Sequence, residues 1–280
     1  MQDVIFQYDG TFDGFLCCVF ESYVYKEFPI AFYSDEECFS LYEVRSVITC
    51  SKHAQRVYRS LVKISRRAAG LIRRAFLTCM DDKELHLYAF IRKLYAEGPA
   101  FMKCQADEVY LPICRAVRHL NGELEKLRGF IRFSIYDGVL GAEIEPKNRV
   151  LPLLRSHFCN RYANEAFFIY DRTHKELLLY HNGRSRIVSV DHLRLSLPGE
   201  EELLYRRLWK CFYETIAIKE RYNPRCQNTF LPNRYRGTMT EFLPTDYEVQ
   251  QSLVTSPPAS LAIAPTPFAQ AEIPVPEIHE

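Results

Sequence analysis

Apolar residues recur at helical spacing along Phe12, Phe15, Leu16, Val19, Phe20 and Tyr23, which predicts a helix over 12–25 with one aromatic face. A short alternating strand at 4–8 precedes it, joined by a turn at Asp9, Gly10 and Thr11, where Asp9 or Thr11 can cap the free amides of the helix. A short strand is predicted at 44–49. A second helical stripe, Ala54, Val57, Tyr58, Leu61 and Ala68, starts from a Ser51 cap, and Gly70 is expected to break it before 71–76. The run 81–95 predicts a helix closed by Glu97, Gly98 and Pro99, and Ile113, Val117, Leu120, Leu124 and Leu127 predict another that begins near Pro112. At Gly129 the period changes to two. Residues 130–136 and 140–144 alternate around Asp137 and Gly138, the strongest hairpin signal in the chain. A helix is predicted at 150–162, strands at 167–170, 177–180 and 186–190, and a last helix over about 200–222 that carries Leu204, Leu208, Phe212 and Ile216 inward.

These elements predict an α+β fold: a mostly antiparallel sheet flanked by helices, with a helical N-terminal half. One core domain is expected over 1–245, helix-rich in 1–128, strand-helix-strand in 129–198, and ending in a helix and basic arm at 199–245. From 246 to 280 the chain turns to Pro, Ser and Ala without a Lys or Arg, the composition of a disordered tail.

Charge is balanced overall at +1, which excludes a protein that coats nucleic acid by bulk charge, yet it is segregated. Residues 1–50 hold nine acids and two bases, whereas 52–74 hold eight bases and no acid; 206–236 hold eight bases against Glu214 and Glu220. Two segments can therefore each supply a positive surface. The ten cysteines include no pair at the two-residue separation of metal ribbons or redox motifs, and their abundance without a signal-peptide pattern predicts a reducing, cytoplasmic setting. No apolar run reaches membrane-spanning length, so no membrane role is expected.

Three constellations carry candidate chemistry. Arg56, Arg59, Lys63 and Arg66, continued by Arg67, Arg73 and Arg74, form a basic row suited to a phosphate backbone, unless the acidic first fifty residues neutralise it. Arg221, Arg225, Arg234 and Arg236 alternate with Tyr222, Phe230 and Tyr235, an interleaving that suits stacked bases of a single strand, or else aromatic anchoring of an arm on the core. Within a polar set that also contains Glu143, Asn148 and Arg172, the residues Glu145, His157, Arg161 and Asp171 are candidates for acid/base or phosphodiester work. His157 and Arg161 share a helix face four residues apart; the alternative is a structural network. Neither a metal site nor a cofactor is implied, and phosphate-loop, dinucleotide, zinc-protease and hydrolase-elbow patterns are absent.

Four stretches in order, YDGTFDGFLCCVFE at 8–21, GFIRF at 129–133, IEPKNRVLPLLRSHFCNR at 144–161 and KERYNPRCQNTFLPNRYRG at 219–237, resemble a bacterial family of DNA-metabolism or DNA-repair proteins built on a domain of unknown function. The resemblance implies a factor that binds DNA and works with a radical-SAM protein or a uracil-DNA glycosylase, to which members are often fused. Neither activity is expected in this chain: it lacks the three closely spaced cysteines of a radical-SAM cluster loop, and the Pro-rich tail stands where a fused glycosylase would follow. The resemblance carries no catalytic residues. An enzyme acting on nucleic acid or nucleotide through His157, Arg161 and a carboxylate, and a protein-binding adaptor without nucleic-acid contact, are the alternatives.

Overall fold

The computed structural model describes residues 3–34, 42–191, 193, 195 and 199–242, with the backbone alone at 219. The Pro-rich stretch 246–280, expected to be disordered, lies outside the described residues.

The chain opens with strand β1 (Asp3–Gln7), helix α1 (Phe12–Tyr25) and strand β2 (Phe28–Tyr33), followed by β3 (Glu43–Ser46). Thr11 begins α1 from an extended backbone, its hydroxyl accepting the Gly14 N–H. Asp9 fixes that turn by accepting from the Thr11 N–H and hydroxyl, and its other oxygen accepts from the Thr49 hydroxyl at 2.7 Å. All three strands are parallel in the order β2-β1-β3, with α1 as the crossover that lets β1 and β2 run in the same direction.

Helices α2 (Ser51–Ile64) and α3 (Arg66–Ala75) follow. The break between them falls at Ser65 rather than at the expected Gly70. Ser65 has an extended backbone and its hydroxyl accepts the Ala68 N–H, so it ends one helix and caps the next; Gly70, with open space around it, is carried inside α3. Helix α4 (Lys83–Glu97) leads through a 3-10 turn at Gly98–Lys103 to α5 (Tyr110–Phe130), 21 residues and roughly 32 Å long. Its length lets α5 serve two cores. Tyr110, Ile113 and Val117 join the cluster built from the parallel sheet and α1–α4, whereas Leu120, Leu124 and Leu127 join a second cluster with the other sheet.

That second sheet has the order β4-β5-β6-β7-β8, from β4 (Ser134–Tyr136), β5 (Val139–Ile144), β6 (Phe167–Asp171), β7 (Glu176–His181) and β8 (Arg184–Ser189). The expected hairpin forms around Asp137 and Gly138, both at positive φ (50 and 81). Three of the four pairings are antiparallel, as the patterning predicted; β5 and β6 are parallel because α6 (Leu151–Arg161) crosses between them. Every residue of β6 is buried: Phe167 and Ile169 face the cluster with α5 and α6, and Phe168 and Tyr170 pack with Leu177, Tyr136 and Val188. Gly141 on β5 makes room for this packing, since a Cβ there would lie 2.3 Å from Phe168 Cζ and 2.6 Å from Tyr136 Cδ2. Gly141→Ala is therefore expected to destabilise the fold by about 1–3 kcal/mol in chemical denaturation.

The last helix expected over 200–222 ends early, as α7 (Glu200–Thr215); a 3-10 turn at Lys219–Arg221 and a short helix α8 (Pro224–Phe230) follow, and 3-10 turns at Asn233–Thr238 and Thr240–Phe242 close the described chain. The whole is α+β with a helical N-terminal half. Among the described residues, no helix is long and apolar enough to cross a membrane.

Candidate nucleic-acid interface

Helices α2 and α3 bury Ala54, Val57 and Leu61, then Ala68, Ala69, Ile72 and Ala75, which turns their charged positions outward. Arg56, Arg59 and Lys63 recur along α2; Arg66 with Arg73 and Arg67 with Arg74 recur seven residues apart along α3, and all seven are exposed. Their contacts are neutral. Arg56 lies 5.8 Å from the Phe20 ring centroid, Arg59 donates to Gln55 at 3.4 Å, Arg67 to the Tyr110 hydroxyl at 3.4 Å and Arg74 to Asn121 Oδ1 at 2.5 Å. Among the described residues none of the seven forms an ion pair. Of the acids in the first fifty residues, Asp9 holds Thr11 and Thr49, and Glu27 pairs with Arg45. Asp35, Glu36 and Glu37 lie outside the described residues.

The basic face extends beyond the two segments that the charge pattern marks. The contacts of Arg67 with Tyr110 and Arg74 with Asn121 lay α3 alongside the first half of α5, where Arg115 and Arg118 are exposed and also without an ion pair among the described residues. The signal was their spacing: three residues apart, opposite Ile113, Val117 and Leu120.

The C-terminal arm divides. Arg221 and Arg225 are exposed. Of Arg234, Tyr235 and Arg236, all expected on a binding surface, Tyr235 is buried, while Arg234 remains exposed and Arg236 half-buried, both with partners in the fold. The Arg234 guanidinium pairs with the buried Glu123 carboxylate and bonds the Tyr235 hydroxyl; the Tyr235 ring is buried 5.3 Å from that of Phe130. Arg236 donates to Asn228 Oδ1 at 2.9 Å and to the Leu231 carbonyl at 3.2 Å. A long-range ion pair and a core aromatic thus explain the interleaving over 234–236.

The candidate catalytic set does not assemble. Asp171 is fully buried and accepts from the Thr173 N–H at 3.0 Å, the His174 N–H at 3.1 Å and His174 Nδ1 at 2.7 Å, closing the β6–β7 turn. Glu145 pairs with Arg172 at 2.9 Å on an exposed edge. His157 and Arg161 do share a face of α6, but among the described residues neither Glu145 nor Asp171 bonds to either one. Burial, and then the positive charges of Arg128 and Arg161, hold the His157 imidazole below its ordinary pKa against the weaker pull of Glu125. Among the described residues no carboxylate hydrogen-bonds to the His157 ring, the pairing that the acid/base reading requires. Asp171→Ala is expected to cost about 1–3 kcal/mol of stability in total, because the Thr173 and His174 amides it strands are only partly buried and water recovers part of the loss, with nucleic-acid affinity unchanged, as read by denaturation and fluorescence anisotropy.

Fold and surface together define an α+β protein with an open basic helical face and a dispersed polar set. The chain belongs to the family described as a domain of unknown function (DUF4130), which matches residues 81–241, more than half of its length. The match runs from the start of α4 to the last 3-10 turn, so it takes in the Glu123–Arg234 pair and leaves α2 and α3 upstream. No curated protein matches the chain at a significant level.

Proposed function

We propose that this protein is a cytoplasmic nucleic-acid-binding factor of DNA metabolism that grips the phosphate backbone with α2 and α3 and works with a radical-SAM protein or a uracil-DNA glycosylase. The observation that carries the binding reading is the row of seven exposed cations without an ion pair among the described residues. Uncompensated charges at this density repel one another, and phosphates relieve that repulsion while releasing condensed counterions. The DNA-metabolism setting and the partner enzymes are supported by the four stretches that resemble a DNA-repair family. Fluorescence anisotropy with labelled DNA across a salt series tests the reading. Binding is expected to weaken with a log-log slope of roughly −3 to −6; absence of binding at low salt overturns it.

A further inference from the structure

The stripe that predicts a buried α7 is exposed. Leu204, Leu208, Phe212 and Ile216 lie open to solvent, and Glu202 is the only buried residue of the helix. Polar contacts hold its first turns: Glu202 accepts from the Ile135 N–H at 3.1 Å and from Arg206, which also donates to Ser134 Oγ at 2.8 Å. Near its end the Tyr213 ring meets Phe242 edge-on. Between these anchors Tyr205, Trp209 and Phe212 are exposed, with Trp209 and Phe212 stacked at 5.7 Å and the Arg132 guanidinium 6.0 Å from the Trp209 ring. Where α7 turns toward α8, an open cleft of about 540 Å³ is lined by Ile216, Ile218, Arg221, Tyr222 and Gln227. Tyr222 is 70% exposed and Phe230, at the end of α8, 73%.

A contiguous exposed apolar surface of this kind marks an interaction site, and its chemistry selects the occupant. Its rings are exposed. They are interleaved with the cations Arg207, Lys210, Arg221 and Arg225, against Glu214 and Glu220 alone among the acids of 203–230. Aliphatic partners have no use for that excess of positive charge; a strand with π-faced bases on an anionic backbone matches both features. The cleft places a ring, a guanidinium and the Gln227 amide around one space, as a stacked base with its phosphate and polar edge requires. We infer that the α7–α8 corner is a stacking platform for unpaired bases of single-stranded nucleic acid. This inference rests on the proposed binding function and adds a second contact that selects single strands.

Trp209 is the only tryptophan in the chain, so its emission reports on the platform directly. The full chain is titrated at low salt with fluorescein-labelled single-stranded oligothymidylate for anisotropy, and with unlabelled oligothymidylate and a blunt duplex for tryptophan emission, while light scattering follows its mass. Saturable quenching by the single strand, little by the duplex, and roughly 5- to 100-fold weaker single-strand binding by Phe212→Ala and Tyr222→Ala support the platform. Anisotropy showing binding without any change in Trp209 emission overturns the platform and leaves the phosphate-binding reading standing. Equal quenching by the duplex, or a dimeric mass that Leu208→Glu converts to monomer, also overturns it. Absence of binding by either probe overturns both readings.

Discussion

Alanine at Glu123 is expected to lower the melting temperature by roughly 6 to 12 °C. The Glu123 carboxylate is buried where α5, the turn before α6 and the C-terminal arm meet. It accepts from the Lys147 N–H at 3.0 Å, the Asn148 N–H at 2.8 Å and the Asn148 side-chain amide at 2.6 Å, and pairs with Arg234. Asn148 in turn accepts the Cys79 N–H at 3.0 Å and so ties in the segment after α3. Two amides left without acceptors cost about 3 kcal/mol together, each in the range of ~1–3 kcal/mol. Arg234 is a third exposed, and water moderates its share.

The same carboxylate gives the fold an acid limit. Burial opposes ionisation of Glu123, but the amides of Lys147 and Asn148, the Asn148 side chain and Arg234 outweigh it and hold the carboxyl below its ordinary value of 4.5. A depressed folded-state pKa contributes stability that is present in full above the unfolded value and lost as pH falls through the folded one. Calorimetry across that window is expected to show a steep loss in the wild type and a shallower one in Glu123→Gln, which starts from lower stability. A Glu123→Ala protein with unchanged melting temperature would contradict this role.

Removing four charges at once, as Arg66→Ala, Arg67→Ala, Arg73→Ala and Arg74→Ala in one protein, is expected to weaken DNA binding by about 10²- to 10³-fold at low salt while the fold persists. All four side chains are exposed and stand on the side of α3 opposite Ala68, Ala69 and Ile72, so their methyl replacements leave the core intact. Alanine also favours the helix more than arginine does, by a few tenths of a kcal/mol per residue at most. Anisotropy at low salt with circular dichroism as the control reads both parts.

Local patterns were legible where one segment sufficed. The aromatic stripe of α1, the Asp137-Gly138 hairpin and the acid-free basic run of α2 and α3 each write their structure within a few turns of sequence. What needed a distant partner was not legible. Strand direction is one case: alternation fixes which face of β5 or β6 is buried and says nothing of whether neighbours run parallel, which here depends on α6 crossing between them. Strand β2 was missed because Phe-Pro-Ile-Ala-Phe-Tyr lacks alternation and carries Pro29 on an edge. Arg234 looked like a phosphate ligand because its carboxylate, Glu123, lies 111 residues away. Periodicity made α7 amphipathic, yet periodicity cannot say whether the protein itself or a partner covers the apolar side.

Whether α2 and α3 bind phosphates is decided by comparing the salt dependence of the wild type with that of the fourfold arginine variant on one DNA. Each lost phosphate contact should remove roughly 0.7 to 0.9 from the magnitude of the log-log slope, giving visibly converging lines at high salt. Parallel lines of equal slope would place the phosphate contacts elsewhere on the protein and rule out α2 and α3 as the phosphate-binding face.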